Sequence, residues 1–207
     1  MIKAIIFDMG GVLLDLDMPG CIRKFHELGF NDVETMLDSC HQRGFFKEME
    51  IGDIDAREFC QKCISKSNPG TTPDDIVSCF KTFITGIAEE KADLIKRLNK
   101  HYDLYILSNN NPVSMSVCTP MFDKLGIPLS IFKKVFISYQ MRILKPSPEI
   151  FQTALKEITA DPAEILFIDD SSANTAAAED LGMNALLYRV GTNLSEAVES
   201  RLKVLGS

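Results

Sequence analysis

Residues 4–15 read "AIIFDMGGVLLD". An unbroken apolar run of this kind marks a strand covered on both faces rather than one with a wet side. The run breaks on Asp8, and two glycines follow within three residues. An unpaired buried carboxylate costs several kcal/mol, so its place at the end of a buried strand needs a reason. A carboxylate that reacts is one such reason.

Five short apolar or β-rich runs occur along the chain, at residues 2–7, 102–107, 135–138, 165–168 and 185–188, and helix-like segments separate the later ones. That alternation predicts an α/β fold, a parallel sheet with helices on both faces. Between residues 17 and 87 the pattern changes. No strand is evident there, and "CIRKFHELGF", "DVETMLDSCHQRGFF", "DAREFCQKCISK" and "DDIVSCFKTFITGI" read as four short amphipathic helices separated by Gly, Asn, Asp and Pro. The predicted division is therefore a sheet domain of residues 1–16 and 88–207, interrupted after its first strand by a small helical bundle at 17–87. "EEKADLIKRLNKH" supplies a crossover helix, and "LSEAVESRLKVL" a closing amphipathic one.

Composition narrows the function. With 207 residues and 45% apolar content the chain can bury a real core, and its formal net charge of −7 argues against nucleic acid or an anionic membrane surface as partner. No apolar segment approaches the ~20 residues that span a bilayer, and no leader-like N-terminus is seen, so cytoplasmic residence is expected. No obligate protein partner is evident. Of the six cysteines, only Cys60 and Cys63 have metal or redox spacing, without a second such pair or a suitably placed His. Free thiols on helix faces suit a reducing compartment.

Ligands of parallel sheets bind at the carboxyl ends of the strands. That edge presents Asp8, then Ser108 and Asn109 after "YIL", Lys145 in "RILKPSPEIF", and Asp169 with Asp170 after "LFI". Singly, Ser108 reads as a turn or cap, Lys145 as a surface lysine, and "DDSSAN" as a helix start. Together they form a chemical set. Nearby carboxylates repel unless a cation sits between them, and an all-oxygen site with few protein ligands suits Mg²⁺, which also takes phosphate oxygens. Lys145 and the Ser108 hydroxyl would hold further phosphate oxygens. Asp8 would then attack phosphorus to give an aspartyl-phosphate that water cleaves.

Over essentially its full length the chain resembles the haloacid dehalogenase-like (HAD) hydrolases, through "IIFDMGGVL", "LYILSNNN", "KPSPEIF" and "ILFIDDSSANTAAAEDLG" in that order. The resemblance implies a Rossmann-like core with a helical cap that covers the site and selects the substrate. It implies Asp8 as nucleophile, Ser108 and Asn109 as phosphate binders, and Lys145 as the charge-neutralising lysine. Mg²⁺ would be held by Asp8, the backbone carbonyl of Gly10 and Asp170, with Asp169 behind them in a second shell.

One position departs from the family. Its phosphatases usually carry an aspartate two residues after the nucleophile, which protonates the departing alkoxide and then activates water; this chain has Gly10. The main-chain carbonyl survives the change, and the general acid does not. Three readings follow: a phosphatase of a small phosphorylated metabolite such as a sugar phosphate, as in the branch with glycine here; a metal-free 2-haloacid dehalogenase; or a non-catalytic binding protein. The paired Asp169 and Asp170 and the absence of Trp weigh against the second, and the retained Asp8, Lys145 and Asp170 against the third. Asp15 and Asp17 are conceivable substitutes for the missing acid, though loop or N-cap roles suit them as well. His26, His41 and Arg43 lie where they could face substrate, and "EMEIGDIDAREF" is similar to the family's turn between cap helices, with Gly52 at the bend and Glu50 within reach of the cleft.

Overall fold

The structure, a computed structural model, describes residues 1–37 and 42–206. Five parallel strands form one sheet: β1 (Ala4–Phe7), β4 (Asp103–Ser108), β5 (Lys134–Ile137), β6 (Ile165–Asp169) and β7 (Asn184–Leu187), in the order β5-β4-β1-β6-β7. β1 is central, with Phe7 level with Ile106 of β4 and Ile168 of β6. Alternate residues feed two cores. Ile5, Phe7, Leu104, Ile106, Leu166 and Ile168 pack on one face; Ala4, Ile6, Tyr105, Leu107, Phe136 and Phe167 pack on the other. Burial on both sides is why these strands read as unbroken apolar runs.

Helices α5 (Glu89–Leu98), α6 (Pro112–Lys124) and α10 (Leu194–Val204) cover the first face through Leu94, Val117 and Val198, whereas α8 (Pro148–Leu155) and α9 (Ser172–Asp180) cover the second through Phe151 and Ala178. A short helix, α7 (Ser138–Met141), follows β5 directly. The helix starts carry legible chemistry. Asn111 accepts from the Ser114 N–H at 2.9 Å with Pro112 at the first helical position, and Asn193 caps α10 in the same way.

Four helices lie between β1 and α5: α1 (Met18–Glu27), α2 (Gly44–Ile51), α3 (Ala56–Ser65) and α4 (Pro73–Phe83). They pack around Phe25, Phe30, Phe46, Phe59 and Phe80, all at most 2% exposed, in mostly edge-to-face contacts such as Phe46 on Phe59 at 4.9 Å. Each such burial is worth about 1.5–3 kcal/mol, so the insert has a core of its own kind. That core runs on into the sheet's first face without a break.

Two details differ from the sequence reading. The second insert helix occupies 44–51 instead of 32–46: Asp32 opens a single tight turn at Val33–Thr35, where the Thr35 hydroxyl bonds back to the Asp32 carbonyl at 2.7 Å, and Gly44 has φ +53. Such side-chain bonds compete with helix propagation. A two-stranded antiparallel pair, β2 (Asp15–Leu16) with β3 (Ile84–Gly86), also stands at the insert's root, where no strand is predicted. Among the described residues no helix is long and apolar enough to cross a membrane.

Candidate active site

The carboxyl end of β1 delivers Asp8 into a cavity of about 150 Å³ between the sheet edge and the helical insert. Its backbone N–H still bonds to Ile168 of β6 at 2.9 Å, so the sheet holds the residue, and its Oδ1 accepts from the Met9 N–H at 2.7 Å. The chain then turns sharply, Leu14 N–H returning to the Met9 carbonyl at 2.7 Å. Gly11 has φ +72, and a Cβ there would overlap Asp170 Oδ2. Only glycine brings the turn this close to that carboxylate. Gly10, by contrast, has no left-handed φ, a Cβ there would meet only Leu16 Cδ1 at 3.4 Å, and its carbonyl accepts no hydrogen bond among the described residues.

Lys145 is almost wholly buried. Its ammonium donates to Asp169 Oδ2 at 2.6 Å and to the Leu107 carbonyl at 2.9 Å, and stands 3.0 Å from Asp8 Oδ1. Burial would lower its pKa, but Asp169 and Asp8 reverse that and hold it above the ordinary lysine value. The peptide bond from Lys145 to Pro146 is cis. Asp169, with no exposed surface, spends its other oxygen on the Ser171 N–H at 2.8 Å and the Asn174 amide at 2.9 Å. Its neighbour Asp170 faces outward into the cavity.

Asp8, Asp169 and Asp170 each offer a carboxylate oxygen, all within 4.8 Å of one another. One ammonium cannot satisfy three carboxylates. Burial, with the charge of Asp169 added, pushes Asp8 up to about 7 against the pull of Lys145 and a hydrogen bond from Ser108. Partial burial and Asp169 likewise raise Asp170. Such a set is short of positive charge, and its oxygen donors, the open Gly10 carbonyl included, are of the kind a hard divalent cation takes.

Ser108 is buried at the end of β4; besides its effect on Asp8 it makes a long 3.5 Å contact to the Asn109 carbonyl. The Asn109 side chain turns to Lys145, donating to its carbonyl at 3.0 Å and accepting its N–H at 2.8 Å, so Asn109 fixes the lysine's backbone. The sequence reading missed the neighbours that complete the polar wall: Asn110, Asn111, Ser114, Ser171 and Asn174 all line the cavity. The run of three Asn after a strand was the available signal.

From the insert, Leu37, Gln42, Phe46, Glu50, Phe80 and Phe83 line the opposite wall. Glu50 is therefore brought to the site, as its turn suggested. His26 is not: it is half-buried, off the cavity wall, and bonds to Glu34 at 2.9 Å. Arg43 is exposed and off the cavity wall, and His41 lies outside the described residues. Asp15 and Asp17 also miss the wall. Asp15 pairs with buried Lys91 at 2.7 Å, and Asp17 caps α1 by accepting from the Gly20 N–H at 2.8 Å.

The chain is similar to proteins of known family. The family model for haloacid dehalogenase-like hydrolases matches residues 2–182. The chain is 39% identical, over 184 residues, to the D-ribitol-5-phosphate phosphatase of Bacteroides thetaiotaomicron, covering 88% of this chain and 89% of that one. A HAD family enzyme from the same organism, solved in complex with magnesium and inorganic phosphate, is similar with a TM-score of 0.87 and 32% identity over 95% of this chain and 98% of that one. A predicted HAD-like hydrolase from Porphyromonas gingivalis reaches 0.89 at 36% identity, with 98% of both chains covered. The chain belongs to the haloacid dehalogenase-like hydrolase family.

Proposed function

We propose that this chain is a Mg²⁺-dependent phosphatase that hydrolyses a small phosphorylated metabolite of the sugar or polyol phosphate class through an aspartyl-phosphate on Asp8. The observation that carries the reading is the crowding of Asp8, Asp169 and Asp170 around one ammonium, an arrangement that a divalent cation would neutralise. Asp8, Asp170 and the Gly10 carbonyl are the groups to hold Mg²⁺, with Asp169 behind them, its three hydrogen bonds already made. When bound, the metal supplies positive charge to the nucleophile and to the phosphate oxygens.

The chain's own residues do the rest. Asp8 attacks phosphorus in line with the departing oxygen, Lys145 offsets charge on the phosphoryl group, and the Ser108 hydroxyl binds one of its oxygens. Asn109 works at this end by fixing the backbone of Lys145. Residues 17–87 act as the cap over a core formed by 1–16 and 88–207; this division is supported by the position of α2 and α4 along one wall of the cavity. The cap wall is largely apolar and carries no cation among the described residues. Among the described residues that wall offers no cation to a second phosphate or a carboxylate, whereas a neutral polyol can lay its C–H edges on Phe46, Phe80 and Phe83. The relative named as a D-ribitol-5-phosphate phosphatase acts on a compound of that class. We place the enzyme in the cytoplasm, a compartment that suits the five free, buried cysteines among the described residues.

The test is phosphate release from a panel of phosphorylated sugars, polyols and acids, with and without Mg²⁺, run beside halide release from a 2-chloro acid. The expected result is Mg²⁺-dependent release from neutral monophosphates. Halide release that survives chelation would establish a dehalogenase instead, and silence on both panels a binding protein.

A further inference from the structure

Gly10 leaves the family's usual acid position without a titratable side chain, yet a sugar or polyol oxygen needs a proton as its bond to phosphorus breaks. Asp15 and Asp17 do not supply it, since neither lines the cavity and each has a partner of its own. Among the described residues, the titratable side chains on the cavity wall are Asp8, Glu50, Lys145 and Asp170. Three of these already have work at the phosphate end. Glu50 stands on the opposite wall, across from the phosphate end, and its carboxyl makes no hydrogen bond or ion pair among the described residues.

The backbone beneath Glu50 is held unusually well for the last turn of a short helix. Its carbonyl accepts from the Ser138 hydroxyl at 2.7 Å, and the same oxygen of Ser138 accepts from the Asn110 N–H at 3.0 Å. Ser138 has no exposed surface. Two residues on, Gly52 caps α2 at φ +80, where a Cβ would overlap the Tyr139 carbonyl, and Asp53 pairs with Arg142 at 2.9 Å. The end of α2 is thus pinned to the strand edge that carries the polar wall, while the carboxyl it presents to the cavity has no hydrogen-bond partner among the described residues.

We propose that Glu50 is the proton donor of the first step and the proton acceptor of the second, replacing from the cap the acid that Gly10 lacks, with Ser138 as its positioning residue. The inference rests on the phosphatase reading above. In the first step Asp8 Oδ bonds to phosphorus, the bond from phosphorus to the sugar oxygen breaks, and that oxygen takes the Glu50 proton. In the second, the Glu50 carboxylate takes a proton from water as the water oxygen bonds to phosphorus. Asp8 then leaves as carboxylate beside free inorganic phosphate, and Glu50 is protonated again. Burial and the charge of Asp8 push Glu50 up to about 8 against the pull of Lys145, so the donor form is available near neutral pH.

The test compares a polyol phosphate with an aryl phosphate, whose phenolate departs without a proton, in the Mg²⁺-loaded enzyme. Glu50→Gln is expected to lower steady-state turnover of both by about 10²-fold. On the aryl ester it should still release one rapid equivalent of phenolate per enzyme before stalling, because only the second step then needs the base; on the polyol ester no burst should appear. Adding Gly10→Asp to that variant should recover about tenfold on the polyol ester, since a Cβ at this position meets only Leu16 Cδ1 at 3.4 Å. Turnover unchanged in Glu50→Gln, or a loss on both esters with no phenolate burst, would overturn the assignment while leaving the phosphatase intact. A parent enzyme that releases no phosphate from any ester would bring down the phosphatase reading itself. A melting temperature within a few degrees of the parent separates either outcome from misfolding, and Ser138→Ala, which leaves the carboxyl in place, should reproduce a weaker form of the same split.

Discussion

The two walls of the cavity are built on opposite rules. On the sheet side two charged groups beside Asp8 are pinned: Lys145 has three oxygens around it and Asp169 three donors. On the insert side the surface is Phe46, Phe80, Phe83 and Leu37, with one acid that has no partner among the described residues. The first wall fixes charges to within hydrogen-bond lengths, as chemistry on a phosphoryl group requires. The second selects by shape and by the absence of charge. If the contrast is real, changes on the two walls should fail in different ways.

The largest effect should come from the nucleophile. Asp8→Asn is expected to lose turnover by on the order of 10⁴-fold or more with the melting temperature retained, because the amide keeps the shape and loses the attacking oxygen. Activity within tenfold of the parent would refute a covalent route. Next in size, Lys145→Met should cost about 3–5 kcal/mol of stability in urea at pH 7.5 without metal, since Asp8 and Asp169 are left buried and uncompensated. A stable variant would show that the pinned wall tolerates its charges without the lysine.

The adjacent glycines sharpen the comparison within one turn. Gly11→Ala forces a side chain into a left-handed backbone and onto Asp170, and should cost about 1–3 kcal/mol and weaken Mg²⁺ binding measured by calorimetry. Gly10→Ala, with an ordinary backbone and only Leu16 nearby, should stay within about 0.5 kcal/mol of the parent. Equal effects would mean that the turn does not press on the acidic pair.

The last effect is a slope. Asp8 and Glu50 keep protons in the folded protein up to about 7 and about 8, whereas the unfolded chain releases them near pH 4. Between pH 5 and 7 the folded state therefore holds more protons, and metal-free stability should fall as pH rises, by at most about 1.4 kcal/mol per pH unit for each group. Glu50→Gln should remove part of that slope, and a stability flat over this range in the metal-free parent would show that neither carboxyl is held protonated.

Much of the pinned wall was legible in the sequence because strand ends are. An apolar run that stops at Asp8, another that stops at Asp169, and the rule that ligands meet the carboxyl edge of a parallel sheet place these residues together before any coordinate is known. Lys145 followed from the same rule. Asn109 was assigned to phosphate, yet its amide is taken up by the backbone of Lys145, a contact 36 residues away in the chain that no local pattern announces. The insert was harder for a related reason. Its helices were readable in number, but the second was misplaced because a turn at Asp32 and a left-handed Gly44 outweigh an apolar pattern that looks helical. Ser138 passed unnoticed as the last letter of a strand, since what it holds is the main chain of another segment.

The short pair of strands at the root of the insert has a consequence for how such enzymes diversify. Asp15–Leu16 lies antiparallel to Ile84–Gly86, so the chain leaves the sheet domain and comes back at a single doorway. A loop whose ends already meet can change length or content at little entropic cost, about 0.6 kcal/mol per doubling. The segment behind that doorway is then exchangeable as a cassette, and a graft from a relative would leave Asp8, Lys145 and the acidic pair where they are. Glu50 travels with the cassette. A chimera would thus inherit its recipient's nucleophile and its donor's acid, and a graft without a carboxyl at this place would yield an enzyme that takes in a sugar phosphate and stalls on releasing the sugar.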